Sequence, residues 1–356
     1  MNLGVEVISS REDPFGQARA ARSLPLLLHS MSVFREMFQL VFANHPIKTV
    51  VEVGVESGQV SSIYTDLGAS TVYCVDPTPS DALRETLAKN PKLHLVERPS
   101  PAVLAELPIA DLYVLDGDHN YSVVYNELSW IMKNAPDAVV ALHDVLWPCS
   151  RRDLYYQPST VPPEDIHPET DEGSTIWHDE ITPAGFLGGA AFTIAKQAGG
   201  EHNGVLTAVE DAVAEGGGDW LLEIVPAVFG MGVVARKGSP GTEALLAALA
   251  PYTSSKLLAT LENNRIALYT RVLQMQYEMV AHADDHDRLA ETINGQRHEI
   301  DRLHADLDGA HGHIAELRQE IERLRAALPP EPANGLGQAV SQLARVAAAQ
   351  VRRSLH

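Results

Sequence analysis

The sequence predicts an α/β fold: a doubly wound, mostly parallel sheet, closed by an antiparallel hairpin and followed by a long coiled-coil helix. Three observations carry this. Between residues 48 and 144, short β-branched runs alternate with helix-like stretches, the pattern of a buried parallel sheet wrapped by helices. Two further strand-like runs, "WLLEIVPAV" and "GMGVVARK", follow one another through a short "FG" turn, which reads as an edge hairpin. From Leu268 to Leu328 the apolar period becomes seven, the spacing of a coiled-coil seam.

The elements follow in order. Residues 24–45, "LPLLLHSMSVFREMFQLVFANH", place apolar side chains at helical spacing and predict a helix before the sheet. Five strands are expected at "KTVVEVGV" (48–55), "TVYCVD" (71–76), "LHLVE" (93–97), "DLYVLD" (111–116) and "AVVALHD" (138–144), with helices near 80–89 and 121–134. Regularity then fails. Residues 145–190 hold six prolines and eight acidic against two basic side chains, and a loop that long in a compact domain is usually functional. A helix resumes at 202–215. In the heptads, Val272, Met279, Ile293, Ile300, Leu307, Ile314, Ile321 and Leu328 take position a, and Leu268, Met275, Leu289, Leu303, Leu317 and Leu324 take position d. His286 at a, with His282 and Gln296 at d, interrupts the seam. Isoleucine at a with leucine at d favours a parallel pair of strands, so a homodimer is expected. The other reading is one long helix lying on its own domain. "PPEPANG" (329–335) breaks the helix, and the last 21 residues carry Arg345, Arg352 and Arg353, no acids, and an amphipathic pattern. The expected division is therefore 1–45, a helical segment; 46–240, the sheet domain with a lid at 145–190; 262–328, the coil; and 329–356, a linker with a basic tail.

Composition narrows the function. A formal charge of −20 on 356 residues leaves no basic stripe for nucleic acid. Two cysteines, Cys74 and Cys149, fit a reducing compartment. No basic segment followed by an apolar run opens the chain, and no stretch has the length of a membrane span. The expectation is a cytoplasmic protein, with at most a weak contact between its basic tail and a membrane surface.

"VVEVGVESGQVS" puts Glu52, Gly54 and Gly58 at the end of the first strand. Gly54 can turn the chain sharply, and a loop without side chains lets a ligand approach the next helix. A structural turn is the plain alternative. Asp76 ends the second strand, where a carboxylate can accept hydrogen bonds from a ribose diol. The loop reads E-x-G-x-x-x-G rather than the G-x-G-x-x-G of a nicotinamide dehydrogenase.

That form resembles the first motif of class I S-adenosylmethionine-dependent methyltransferases. The order of elements over residues 46–237 is similar to their Rossmann-like fold. "LDGDHNY" resembles the segment after the fourth strand in metal-assisted O-methyltransferases of small molecules and sugars. The resemblance implies S-adenosylmethionine as cofactor, bound around Glu52, Gly54, Gly58, Asp76 and Asp116, and a hydroxylated small molecule or glycosyl group as acceptor. It also implies a divalent cation, magnesium or manganese, on Asp116, His143 and Asp144. His143 departs from the family, which usually has an acid there; a nitrogen ligand suits manganese, iron or zinc better than magnesium. It can equally be a partner of the ligands, or a core histidine.

His119 lies three residues after Asp116, where related enzymes place a basic side chain, and is the expected catalytic base because imidazole titrates near neutrality. Asp118 is the second choice. Both can alternatively cap the helix beginning near Tyr121. Arg151, Arg152, Tyr155 and Tyr156 in the lid are candidates for touching the acceptor, and His167 and His178 for completing a metal site. Two rivals remain: a relative that keeps this sheet and metal site for other chemistry, and a coiled-coil scaffold whose methyltransferase-like domain binds the nucleoside without turnover.

Overall fold

The computed structural model describes residues 11–23, 31–187, 192–328 and 336–353. Residues 24–30 of the first expected helix and the expected linker 329–335 lie outside the described residues. Nine helices are described: α1 (Gly16–Ser23), α2 (Arg35–Asn44), α3 (Ser61–Leu67), α4 (Asp81–Leu87), α5 (Tyr121–Asn134), α6 (Val205–Glu215), α7 (Thr242–Thr253), α8 (Lys256–Ala327) and α9 (Leu336–Arg353). The principal strands are β1 (Thr49–Val53), β2 (Thr71–Val75), β3 (Leu93–Val96), β4 (Leu112–Leu115) and β5 (Val139–Leu142). Then come β6 (Leu154–Tyr156), β7 (Glu169–Thr170), β8 (Gly173–Ser174), β9 (Ile181–Thr182), β10 (Phe192–Ala195), β11 (Trp220–Val225) and β12 (Met231–Arg236).

Seven strands form one sheet in the order β11-β12-β5-β4-β1-β2-β3. The first five are parallel, and the order reverses between β1 and β4, the crevice where open α/β sheets bind ligands. β12 runs antiparallel between β5 and β11. The hairpin is thus antiparallel as expected, but its second strand is inserted and only β11 is an edge. The central strands β1, β4, β5 and β12 are buried on both faces. Val50, Val72 and Leu112 pack with Phe38, Tyr64 and Leu245 on one side. Val51, Tyr113 and Val140 pack with Leu128, Ile131 and Val209 on the other.

Three expectations change. The hairpin connection is Pro226–Gly230 rather than a two-residue turn, with Val228, Phe229 and Gly230 all at positive φ. Residues 145–190 are not a structureless loop: β6 and β7 flank β10 in a small antiparallel sheet, and β8 pairs with β9. α7, which the sequence reading left unassigned, closes the first face of the sheet through buried Leu245 and Leu249.

The chain divides into two compact units, Met1–Met279 and Val280–His356. The early part of α8 belongs to the first. There Glu262, Ile266 and Thr270 are buried, and Ile266 packs with Phe186 and Phe229. Glu262 accepts a hydrogen bond from the Phe229 amide at 2.8 Å, and the Arg265 guanidinium lies 4.4 Å above the Phe229 ring. In the second unit the heptad side chains face solvent, as do Val340, Leu343, Val346 and Val351 on α9. No single helix among the described residues is long and apolar enough to cross a membrane.

Candidate active site

Backbone hydrogen bonds continue one residue past the strand ends and gather the site. Gly54 N–H donates to Val75 O, Asp116 N–H to Val53 O, and His143 N–H to Leu115 O, all within 3.0 Å. Gly54 has φ of +82°, and a Cβ there would lie 2.1 Å from the Asp116 carbonyl oxygen. Only glycine allows the loops after β1 and β4 to touch. At Gly58, also at positive φ, the missing Cβ would meet Leu83 and Leu87 of α4, so any ligand contact there comes from backbone alone. Glu52 is buried beneath the loop and accepts a hydrogen bond from Ser61 Oγ. Burial, with the charge of Asp116 adding to it, pushes this carboxyl up to about 8 against the lowering effect of Ser61. Asp76 is part-buried at the end of β2, and its Oδ1 accepts from Thr78 N–H at 2.9 Å.

Asp116, His143 and Asp144 bring one donor atom each within 4.8 Å of the others, the one such cluster of three among the described residues. His143 Nδ1 lies 2.9 Å from Asp116 Oδ1 and 3.8 Å from Asp144 Oδ1. Its Nε2–H donates to Val228 O at 2.9 Å, which is what the strained Val228–Phe229 turn achieves: it aims a carbonyl at the ring. Burial alone would lower the His143 pKa; the charges of Asp144 and Asp116 and the bonds to Asp116 and Val228 outweigh it and raise it to about 10. Asp144 has φ of +55°, and its buried Oδ1 has no hydrogen-bond partner. Its Oδ2 lies 3.4 Å from His119 Nε2. Phe34, just before α2, meets the His143 ring edge-on at 6.0 Å.

The cap of α5 is neither Asp118 nor His119. Asn120 accepts from Val123 N–H at 3.0 Å, which leaves both preceding side chains for other work. Asp118 is part-buried, and burial raises its pKa against the pull of His119. The insertion is anchored to this turn: Leu154 N–H donates to His119 O, and buried Asp153 accepts from Tyr121 N–H, Gly204 N–H and Tyr155 Oη. Tyr156 stands 6.5 Å from the His119 ring and packs edge-on against Phe192 at 4.8 Å. Burial, then the charges of Asp116, Asp118 and Asp144, raise its hydroxyl pKa.

The other lid candidates are spent on structure. Arg151 is bidentate to Glu210, and Arg152 is buried against the carbonyls of Ala195 and Lys196. His167 Nε2–H donates to His202 O at 2.9 Å, and His178 is exposed; neither belongs to the cluster. Asp153 and the Val228 carbonyl were not found from sequence. Asp153 carried a weak signal as a carboxylate in an apolar "DLYY" run, whereas a carbonyl has no signature in sequence at all.

Residues 51–145 match the family model described as a methyltransferase domain. The match runs from β1 to just past β5 and so contains every strand end of the mouth. Over those residues the chain is similar to a methyltransferase domain. No curated protein matches the sequence. Among solved structures, the chain is similar to a proposed caffeoyl-CoA O-methyltransferase from Staphylococcus aureus, at 10% identity and a TM-score of 0.39, over 66% of this chain and 93% of that one. It is also similar to the S-adenosylhomocysteine-bound methyltransferase PaMTH1 of Podospora anserina, at 15% identity and 0.37, over 61% and 84%. The CcbJ methyltransferase of Streptomyces caelestis is similar at 14% identity and 0.36, over 62% and 95%.

Proposed function

We propose that this protein transfers a methyl group from S-adenosylmethionine to a hydroxyl of a small molecule or glycosyl group, with a divalent cation held by Asp116, His143 and Asp144. The observation that carries the reading is the convergence of those donors, within 4.8 Å, beside His119 at the carboxyl ends of β4 and β5. The residues fit a cation. Asp144 Oδ1 is a buried carboxylate oxygen that accepts no hydrogen bond and has only His143 Nδ1 near it, at 3.8 Å, which is costly unless a cation or donor satisfies it. The Val228 carbonyl holds the Nε2–H of His143, so that loss of the other proton turns a lone pair on Nδ1 toward both carboxylates. Two carboxylates and an imidazole suit manganese, iron or zinc at least as well as magnesium.

A bound cation would lower the pKa of the acceptor hydroxyl. Asp144 Oδ2 orients His119, whose imidazole takes the hydroxyl proton as the oxygen attacks the methyl carbon. Asp118 is the alternative base. Tyr156 and Phe192 wall the mouth on the insertion side. Asp76 binds the ribose diol and the Gly54 loop approaches the methionine portion of the cofactor. Calorimetry with S-adenosylmethionine, with and without divalent ion, tests this reading. Asp76→Ala should weaken binding by about 1.5–3 kcal/mol; equal affinity in both proteins would remove Asp76 from the cofactor site.

We also infer that α8 pairs in parallel with a second copy. Its a and d side chains from Leu268 to Leu328 stay largely exposed, Leu268 at 70% and Ile314 at 46%, and an apolar stripe of this length is an interaction surface. Light scattering of the full chain reads the dimer directly. The basic face of α9 supports a weak contact with anionic lipid, measurable by vesicle sedimentation. The buried, unpaired Cys74 and Cys149 support the cytoplasm as its compartment.

A further inference from the structure

We propose a second metal site, assembled by two copies of the chain, at His282 and His286 of α8. It rests on the parallel pairing of α8 inferred above. The two histidines occupy a d and the following a position of the heptads, four residues apart on one helical face, and both are exposed in the single chain. That spacing sets their Cβ atoms roughly 5–6 Å apart. The neighbouring seam positions are Met275 and Met279 before them and Leu289 and Ile293 after them. When two chains pair in register, four imidazoles therefore meet in two successive layers, with hydrocarbon above and below.

Imidazoles in such a place need partners. Left neutral and unpaired in a desolvated seam, each buried nitrogen loses its hydrogen bonds to water; charged, the four repel one another. A borderline cation such as zinc or cobalt accepts four imidazole nitrogens in a tetrahedron and removes both penalties. Serving only as a polar layer that fixes register would not need two histidines at the i, i+4 spacing of a chelating pair; one polar residue suffices for that. The donor set is all nitrogen, unlike that of Asp116, His143 and Asp144, and so the two sites are distinguishable by spectroscopy.

The experiment compares the full chain with the double variant His282→Leu/His286→Leu. Leucine is favoured in the seam, so the variant should remain a dimer by light scattering. Beyond any cobalt held at Asp116, His143 and Asp144, the wild-type dimer should take up about one cobalt ion per two chains with the strong visible bands of tetrahedral coordination. Zinc should raise its helical melting temperature relative to chelator. Both responses should vanish in the variant. A dimeric wild type whose cobalt spectrum and zinc-dependent melting are unchanged by the double substitution overturns the site. A monomeric wild type overturns it too, and light scattering alone shows that the pairing was what failed.

Discussion

The mouth of the sheet buries charge, whereas the heptad stripe of α8 exposes hydrocarbon. At the mouth, Asp144 keeps a carboxylate oxygen buried without a hydrogen bond, and Glu52 is only 2% exposed. Along α8, Ile300, Leu307 and Leu317 are all more than half exposed. Each arrangement is unfavourable for an isolated chain, by the cost of an unsatisfied charge in one case and of hydrated apolar surface in the other. What each lacks differs in kind. On the proposed reading a small cation would satisfy the mouth, and a surface of the same periodicity would satisfy the stripe. The same chain therefore points to a ligand at one place and to a protein at another.

The largest expected effect lies at the mouth. His119→Ala should cut turnover about 10²–10⁴-fold, the usual loss for a general base, while cofactor affinity is kept. Asp144→Asn should lose divalent-ion binding as well as turnover. Stopped assays and ion titrations on the two variants separate proton removal from cation binding. If His119→Ala retains full rate, the proton is taken by Asp118 or by solvent.

The next effect lies where the two kinds of surface meet on α8. Ile266 is 6% exposed against Phe186 and Phe229, only two residues before exposed Leu268. Ile266→Ala should destabilise the first unit by about 2–5 kcal/mol, whereas Leu303→Ala in the full chain should leave the denaturation midpoint of the first unit unchanged, because Leu303 is exposed and belongs to the second unit. For the same reason a deletion beginning at 262, the expected start of the coil, removes Glu262 from the Phe229 amide and cuts into the folded unit. A chain ending at Met279 should remain folded and be monomeric by light scattering. Equal stability of chains ending at 261 and 279 would show that the packing of Ile266 contributes nothing.

Legibility in the sequence followed locality. Strands β1 to β5 show within a residue or two because each is a short β-branched run bounded by turn residues, and Asp116, His143 and Asp144 show because such runs end in them. The heptads of α8 are legible for the same reason. What was hidden depends on contacts distant in sequence. The Val228 carbonyl that orients His143 comes from 85 residues away. Asp153, which ties the insertion to α5, acts 32 residues from Tyr121 and 51 from Gly204. Positive φ at Val228 and Phe229 could not be expected either, since β-branched and aromatic side chains disfavour it. The small sheet of the insertion pairs strands of two to four residues, too short to leave a period.

The smallest effect sharpens the buried-charge side of the comparison away from the catalytic residues. Glu127 on α5 is 2% exposed, and its carboxyl is pushed up to about 8 from 4.5, mainly by burial, with the charge of Asp118 adding and the Ser100 hydroxyl opposing. A folded-state pKa above the unfolded one means that the folded protein binds this proton more tightly. The stabilisation is therefore complete below about 4.5 and is lost as the pH rises through about 8. One proton limits the slope to about 1.4 kcal/mol per pH unit. Glu127→Gln keeps the shape and cannot ionise, so the variant should gain on the wild type in urea midpoint between pH 6 and pH 9 and match its trend at pH 4.5. Parallel pH profiles for the two proteins would mean that Glu127 keeps its charge in the folded state, and that this part of the sheet tolerates a buried carboxylate without a counter-ion.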